Sequence, residues 1–562
     1  YNSTKQNLFL GTYSGYNMTG ENNIILGNNL LNNSNILALE TKEINNNIFI
    51  GNDAGIESIG NDNVCIGEGS GILDTGSRSV SIGNYTTSNN KYSGKDITLQ
   101  TTGYNVNVGY FAGKELISGT RSINIGAGAG QKNNQDDNIC IGYKTGNSVT
   151  GTKNIFFGNN SGENTNGNNN IGIGINTLVG LVDDTTTASD NVSIGYQAGM
   201  HIKSNNNICI GTDSISKYTI GADNIAIGFQ SGMNMTGINC SSNILIGKNS
   251  GLGCINKENI YIGNDSGKNN VNGKSNVYIG TYAGASIVDG GDSVIIGFGA
   301  GSEKTIHDTI IGYNGGWEAT GSQNTLIGYN AGAQCNSNNT IMGYNAGDTS
   351  TGNDNTIIGK DSGKLIHSNN NVVVGSNSLI SNLPDGFDGN VVVGYSSGQK
   401  IVAGGNTYIG NEAGKSNAGT DNVIIGDNAG QLTSTISTQD NVIIGKNAGG
   451  DLQGNYNIVI GSGAGYEVTL TNRSNKNLLM GYQAGKNNNK YDNLLVIGNS
   501  SVSLLNETTP SYYNDSENII IGNNSAQEVN SFGNLVIGNN SGNKITTGNS
   551  NILIGEKTGN KL

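Results

Sequence analysis

One alternation of apolar and polar positions recurs along the chain: Asn, aliphatic or Thr, a variable residue, aliphatic, Gly. Asn47-Ile48-Phe49-Ile50-Gly51, Asn63-Val64-Cys65-Ile66-Gly67 and Asn422-Val423-Ile424-Ile425-Gly426 are examples. There are 32 copies between Asn7 and Asn551, most often 16 residues apart. The closing glycine is present in all 32, and the opening position departs from Asn only at Ser79, Ser122, Ser293, Asp308 and Leu494. The aliphatic–variable–aliphatic triplet predicts a three-residue strand of period two, with its first and third residues on a buried face. After the closing glycine and two further residues there is often Ala, Ser or Thr and then a second glycine, as in Gly328-Tyr329-Asn330-Ala331-Gly332. The glycines supply positive φ at sharp corners, and asparagines stacked coil on coil predict an amide ladder. So short a strand buries its face only against the next copy, the logic of a solenoid. The expected fold is therefore all-β: a parallel β-solenoid, about one coil per 16-residue repeat, continuous over residues 1–562. At about 4.8 Å per coil, its length is expected to be on the order of 150 Å.

The variable middle position extends the argument. On this assignment it faces outward, where a monomer in water would carry polar residues. It is apolar in 27 of 32 copies, the exceptions being Ser81, Asn107, Asn124, Gly172 and Ser193. From Leu245 onward every copy is apolar, including Ile295, Leu326, Ile357, Val373, Ile424 and Leu553. Such a stripe calls for a cover. Burial against parallel copies around a threefold axis is the simplest expectation, and a second sheet or folded-back loop of the same chain is the alternative. At an axis the middle-position thiols Cys65, Cys140 and Cys209 would meet in threes, so they are expected to stay reduced and act as small apolar groups.

The unit Asn-Val-x-Ile-Gly-x-x-Ala/Ser-Gly resembles the repeats of trimeric autotransporter adhesin heads. It is closer to the repetitive shafts of some phage and giant-virus fibre proteins. The resemblance covers essentially the whole chain. It implies a left-handed parallel β-roll with three rolls about a threefold axis. The longer modal spacing and the Asn richness depart from the adhesin pattern, and neither a heptad stalk nor a C-terminal membrane barrel is seen in this sequence. These departures favour a fibre.

Regularity breaks at 28–46, 84–104, 180–190, 380–389 and 499–517, all expected to be surface loops able to carry binding. Asn35–Leu39 and Asp96–Gln100 look like degenerate copies within two of them. Others hold Leu181-Val182-Asp183-Asp184, the turn signal Pro384-Asp385-Gly386, and Pro510 with Tyr512-Tyr513.

Composition narrows the function classes. Glycine (89) and asparagine (96) make up about a third of 562 residues, which disfavours helix. With two prolines and no Gly-X-Y period, the chain is neither collagen-like nor an ordinary disordered linker. A net charge of −13 without any Lys/Arg cluster leaves no footprint for nucleic-acid phosphates. Apolar runs of four or five residues span no bilayer, so no membrane insertion is expected. With Tyr1 first, the true start is expected to lie elsewhere, and a signal peptide goes unjudged.

Candidate chemistry is sparse. Cys65, Cys140, Cys209, Cys240, Cys254 and Cys335 form no CxxC pair, and His201, His307 and His367 are far apart. No metal, cofactor or catalytic residue is therefore expected. Cys240 and Cys254 fall near one corner of successive coils, within reach of a disulfide, although a two-residue offset also allows two free thiols. Gly126-Ala127-Gly128-Ala129-Gly130 mimics a phosphate loop but lacks a following helix. Asn52-Asp53 and Asn264-Asp265 offer calcium-type oxygens in slots where turns favour these residues anyway. Tyr313, Tyr329 and Tyr344 share a slot in successive coils, as a stacking stripe or a carbohydrate platform, with stacking the better reading. Asn2, Asn17, Asn32, Asn84, Asn159 and Asn191 begin sequons, which chance also produces in so Asn-rich a chain.

The expected function is structural: a homotrimeric shaft of a virion fibre or other surface appendage, holding an attachment site away from the particle. A cell-surface adhesin binding host matrix or glycan is the alternative. A polysaccharide-degrading solenoid is a third class, disfavoured because no acid cluster stands out.

Overall fold

The computed structural model describes residues 1–562 except 1–4, 17, 30–42, 57, 59, 73–75, 87–102, 117, 182–186, 218–220, 238, 302–305, 381–387, 402, 433–437, 467–474, 487–491, 503–516, 530, 546–547 and 561–562. The degenerate copies Asn35–Leu39 and Asp96–Gln100, the segment Val182–Asp184, both prolines, Tyr512, Tyr513 and the sequon residues Asn2, Asn17 and Asn32 lie outside the described residues.

Every one of the 32 motif copies forms a three-residue strand, from Leu8–Leu10 to Ile552–Ile554, and no helix occurs among the described residues. The chain is a parallel β-solenoid with a repeat of about 16 residues. Two compact units divide it, Tyr1–Gly291 and Asp292–Leu562, each holding sixteen of these strands. Within a unit each strand pairs in parallel with the next, residue for residue: Ile48 with Val64, Phe49 with Cys65, Ile50 with Ile66. Insertions leave this register untouched, because Val80–Ile82 still pairs with Val106–Val108 across 84–104 and Leu495–Ile497 with Ile519–Ile521 across 499–517. A second, minor pairing, Glu528–Val529 with Lys544–Ile545, adds a short face near the end of the second unit.

The asparagine column is the amide ladder the sequence predicts. Asn371 shows its chemistry in full. Its backbone N–H and its Nδ2 both donate to Oδ1 of Asn355, at 2.9 Å each, and Nδ2 also donates to the Asn369 carbonyl at 3.0 Å. Its own Oδ1 accepts from the N–H and the Nδ2 of Asn390, both at 3.0 Å. The side chain is fully buried, so each of these polar atoms needs its partner. Replacing Asn371 by Leu keeps the volume and removes the acceptor that the Asn390 N–H and Nδ2 share. We expect a loss on the order of 2 kcal/mol in urea unfolding. A midpoint unchanged from the parent would show that water satisfies the column instead.

The faces of the strand are the reverse of the sequence expectation. The middle residue points into the coil: Phe49, Phe156, Tyr261, Tyr408, Ile295, Leu326 and Ile424 are all fully buried within their own chain. The polar exceptions Ser81, Asn107, Asn124 and Ser193 are equally buried, and Gly172 with them. The first and third residues face outward, half-buried or exposed, as the pattern across Val64–Ile66 illustrates. The reason is the width of the coil. In most coils a second glycine stands four residues past the closing one, directly opposite the middle side chain. A Cβ at Gly55 would lie 2.8 Å from the Phe49 ring, and one at Gly267 would lie 2.6 Å from the Tyr261 ring. The interior thus admits one strand side chain per coil, and two aliphatic residues would not fit.

Around that side chain the core is completed by small residues three past the closing glycine, such as Ala54 and Ser70, and by apolar ones seven past it, such as Leu116, Met235, Ile287 and Ile366. Volumes alternate up the stack: Phe156 fills the space that Gly172 leaves in the next coil, where a Cβ would meet its ring at 3.0 Å. The serines of the small column are not idle packing. Ser70, Ser250 and Ser266 donate from Oγ to the carbonyls of the middle residues Ser81, Tyr261 and Tyr278 one coil on, at 2.8–3.0 Å.

Candidate binding surfaces

The expected threefold-axis thiols are core groups of a single chain. Cys65, Cys140 and Cys209 are buried thiols outside any disulfide, and burial pushes the Cys140 and Cys209 thiols up to about 12. Cys240 and Cys254 are also free and buried, with the Cys240 thiol donating to the Cys254 carbonyl at 3.4 Å.

The glycine donors of the phosphate-loop mimic are already engaged in the stack. The N–H groups of Gly126, Gly128 and Gly130 donate to the carbonyls of Val108, Tyr110 and Thr145 in neighbouring coils. Asn264 and Asp265 are likewise engaged in stacking: their side-chain oxygens accept from the Lys248 N–H at 3.2 Å and from Asn249 Nδ2 at 2.9 Å. Among the described residues no three His, Cys, Asp or Glu side chains come together as a metal cluster. His307 lies 3.5 Å from Asp292, and His367 Nδ1 shares a 2.7 Å hydrogen bond with Thr351 Oγ1. Of the described sequons, Asn84 and Asn159 are exposed, whereas Asn191 is buried in the ladder.

What the coils do present is two kinds of outward surface. One is the outer face of the strands. Its first and third positions number 64, and 59 of them are Ile, Val, Leu, Phe or Met, the other five being Thr309, Thr325, Thr340, Thr356 and Thr407. None is charged, so nothing on this face resists a dry contact. At roughly 50 Å² of exposed area each, the 32 residues of one unit leave on the order of 1,500 Å² of apolar surface, several times what a monomer normally shows.

The other surface follows the corner. Tyr313, Tyr329 and Tyr344 stack, and Phe298 joins them below, with ring centroids 5.2, 5.0 and 5.0 Å apart and planes within 13° of parallel. Phe298 occupies the same slot after its closing glycine, Gly297, and belongs to the column by position. The ring faces lie against one another, so the stack reading holds. Beside this column the coils leave a groove of about 270 Å³, lined by Asn314, Trp317, Glu318, Asn330, Ala333, Gln334, Asp348 and Thr349. Sequence reasoning missed it. Trp317, Ala333 and Asp348 each stand five residues past a closing glycine, a slot with no recurrent residue type.

The chain matches no family model and no curated protein.

Proposed function

We propose that the chain is the structural shaft of a fibre or surface appendage, exposed on a virion or outside a cell, and assembled as a homotrimer of left-handed rolls. Its role is mechanical and non-catalytic. The observation that carries the reading is the uncharged apolar outer face of the strands. It is regular from coil to coil, so a parallel copy in the same register meets an identical face at every level. An area on the order of 1,500 Å² per unit is of the size that stable assemblies bury. The trimer seam proposed here is therefore lined by the first and third strand positions, not by the middle ones.

The two placements give opposite mutational results. Ile311→Lys, Met342→Lys and Ile358→Lys together alter three exposed outer positions. Sedimentation equilibrium is expected to find a trimer for the parent and a folded monomer for the triple variant, because three lysines per chain would meet in a dry seam. Asp at the buried middle positions Ile295, Leu326 and Ile424 is expected instead to unfold the coils. A parent that is monomeric at micromolar concentration would overturn the assembly.

A further inference from the structure

We propose that the groove beside the tyrosine column is a binding site for a neutral oligosaccharide. Trp317 is the chain's single tryptophan, and it is half exposed, at 50%. Its large, flat indole is well suited to stacking on a flat apolar partner. One coil on, the same slot holds Ala333, a side chain too short to cover the indole; one coil further it holds Asp348. The notch is thus bounded by an aromatic ring at one end and a carboxylate at the other, about 10 Å apart over three coils. That span suits a short run of sugar rings.

The remaining lining is chemically of one kind. Asn314, Asn330 and Gln334 offer amide donors and acceptors, and Glu318 and Asp348 offer only acceptors. Gln334 Nε2 donates to Glu318 Oε2 at 2.8 Å, which holds both side chains across adjacent coils. Planar amides and carboxylates around one exposed ring match the hydroxyl-rich edges and apolar faces of a sugar. No cation lines the groove, and two carboxylates do, so uronic, sialylated and sulfated glycans are disfavoured. The frame is preorganised. Glu318, Gln334 and Thr349 hold left-handed backbone at φ 55°, 61° and 56°, tied by hydrogen bonds from the Gln334 N–H to the Trp317 carbonyl and from the Thr349 N–H to the Ala333 carbonyl. The groove lies past the corner, off the outer strand face, so it is independent of the proposed trimer seam.

Because Trp317 is unique, its fluorescence reports on this site alone. The full chain would be titrated with chitohexaose, cellohexaose and mannohexaose, with polygalacturonate as the anionic control. The expected result is a saturable change in emission with a neutral oligosaccharide and none with polygalacturonate. Calorimetry with Trp317→Ala and with Asp348→Asn should show the same glycan bound about tenfold more weakly, with melting temperatures unchanged. Three outcomes would overturn the proposal: no response to any neutral glycan, equal binding by the Trp317→Ala variant, or an emission that follows protein concentration alone, which would place the groove between copies of the chain.

Discussion

Replacing Gly445 by alanine is expected to cost roughly 4 kcal/mol and to split the melting transition of the second unit. Gly445 closes the motif Asn441–Gly445 and stands at φ 136°, where an L side chain is strained by about 1–3 kcal/mol. The added Cβ would also lie 2.6 Å from the carbonyl oxygen of Gly461, the equivalent glycine one coil on, and 2.7 Å from its carbonyl carbon. Backbone cannot rotate aside as a side chain can, because the Gly445 N–H donates to the Ile425 carbonyl and the Gly461 N–H to the Ile444 carbonyl, each at 2.8 Å. Relief therefore requires separating two coils. In a stack stabilised by nearest neighbours, one weakened interface divides the cooperative unit. Gly389 separates the two contributions, since it has φ 77° but open space around it. Gly389→Ala should cost only about 1 kcal/mol. Calorimetry checks both. If Gly445→Ala melted as a single transition at the parent temperature, close packing of the glycine column would not be what holds the coils in register.

That column shows why part of the fold was legible in the sequence. Closing glycine and ladder asparagine each have one chemical reason to recur, and that reason carries the geometry with it. Alternation is weaker. It states that Val64 and Ile66 share a face but not whether that face is the inner one. The sign was nevertheless present in side-chain volumes. Each aromatic middle residue is followed by a glycine eight places on from the ladder asparagine, as Phe49 is by Gly55 and Tyr408 by Gly414, and a ring opposite a glycine implies a narrow shared interior. The buried apolar residues seven past the closing glycine, such as Val149, Ile202 and Leu452, pointed the same way. Phe298 belongs to the column by its slot after Gly297 and not by residue type, so tyrosine identity alone does not reveal it. The groove was illegible for a different reason: it depends on a small residue, Ala333, lying between two larger ones in a slot that carries no pattern.

The inverted face also reassigns the meaning of polarity. A polar middle residue marks a polar core, not a wet surface. Asn107 and Asn124 are fully buried neighbours in adjacent strands, joined by a 2.8 Å hydrogen bond from Asn124 Nδ2 to Asn107 Oδ1. The same coils accommodate them through glycine: a Cβ at Gly113 would lie 2.5 Å from Asn107 Oδ1. Polar and aromatic coils therefore obey one steric rule, and the proposed assembly surface is continuous past both.

Asp308 carries the last prediction, a pH-dependent stability confined to one rung. It stands where most rungs of the ladder place an amide, it is 2% exposed, and its Oδ2 has no hydrogen-bond partner. Oδ1 accepts the Asn324 N–H at 2.6 Å, and the Asp308 N–H donates to Ser293 Oγ at 3.1 Å. Desolvation by burial raises its carboxyl to about 6; hydrogen bonds from Asn324 and the nearby charge of His307 act the other way but are outweighed. Cys335, whose own thiol is raised to about 12, lies close enough to feel its charge. The folded chain thus binds the proton more tightly than the unfolded one. Between about pH 4 and pH 6 the unfolded carboxyl ionises first, so stability falls as pH rises through this window and is level above it. A shift from 3.8 to about 6 corresponds to about 3 kcal/mol. Asp308→Asn replaces the carboxylate with the neutral amide that most rungs carry, restoring a donor and removing a buried charge. It should raise the stability of the second unit at pH 7.5 by 2–3 kcal/mol, roughly the full linkage term, and leave it nearly unchanged at pH 4, where the native acid is already neutral. Urea midpoints of parent and variant at the two pH values test this. Equal gains at both would trace the effect to shape and hydrogen bonding, and a loss at pH 7.5 would mean that the ionised carboxylate is satisfied where it stands.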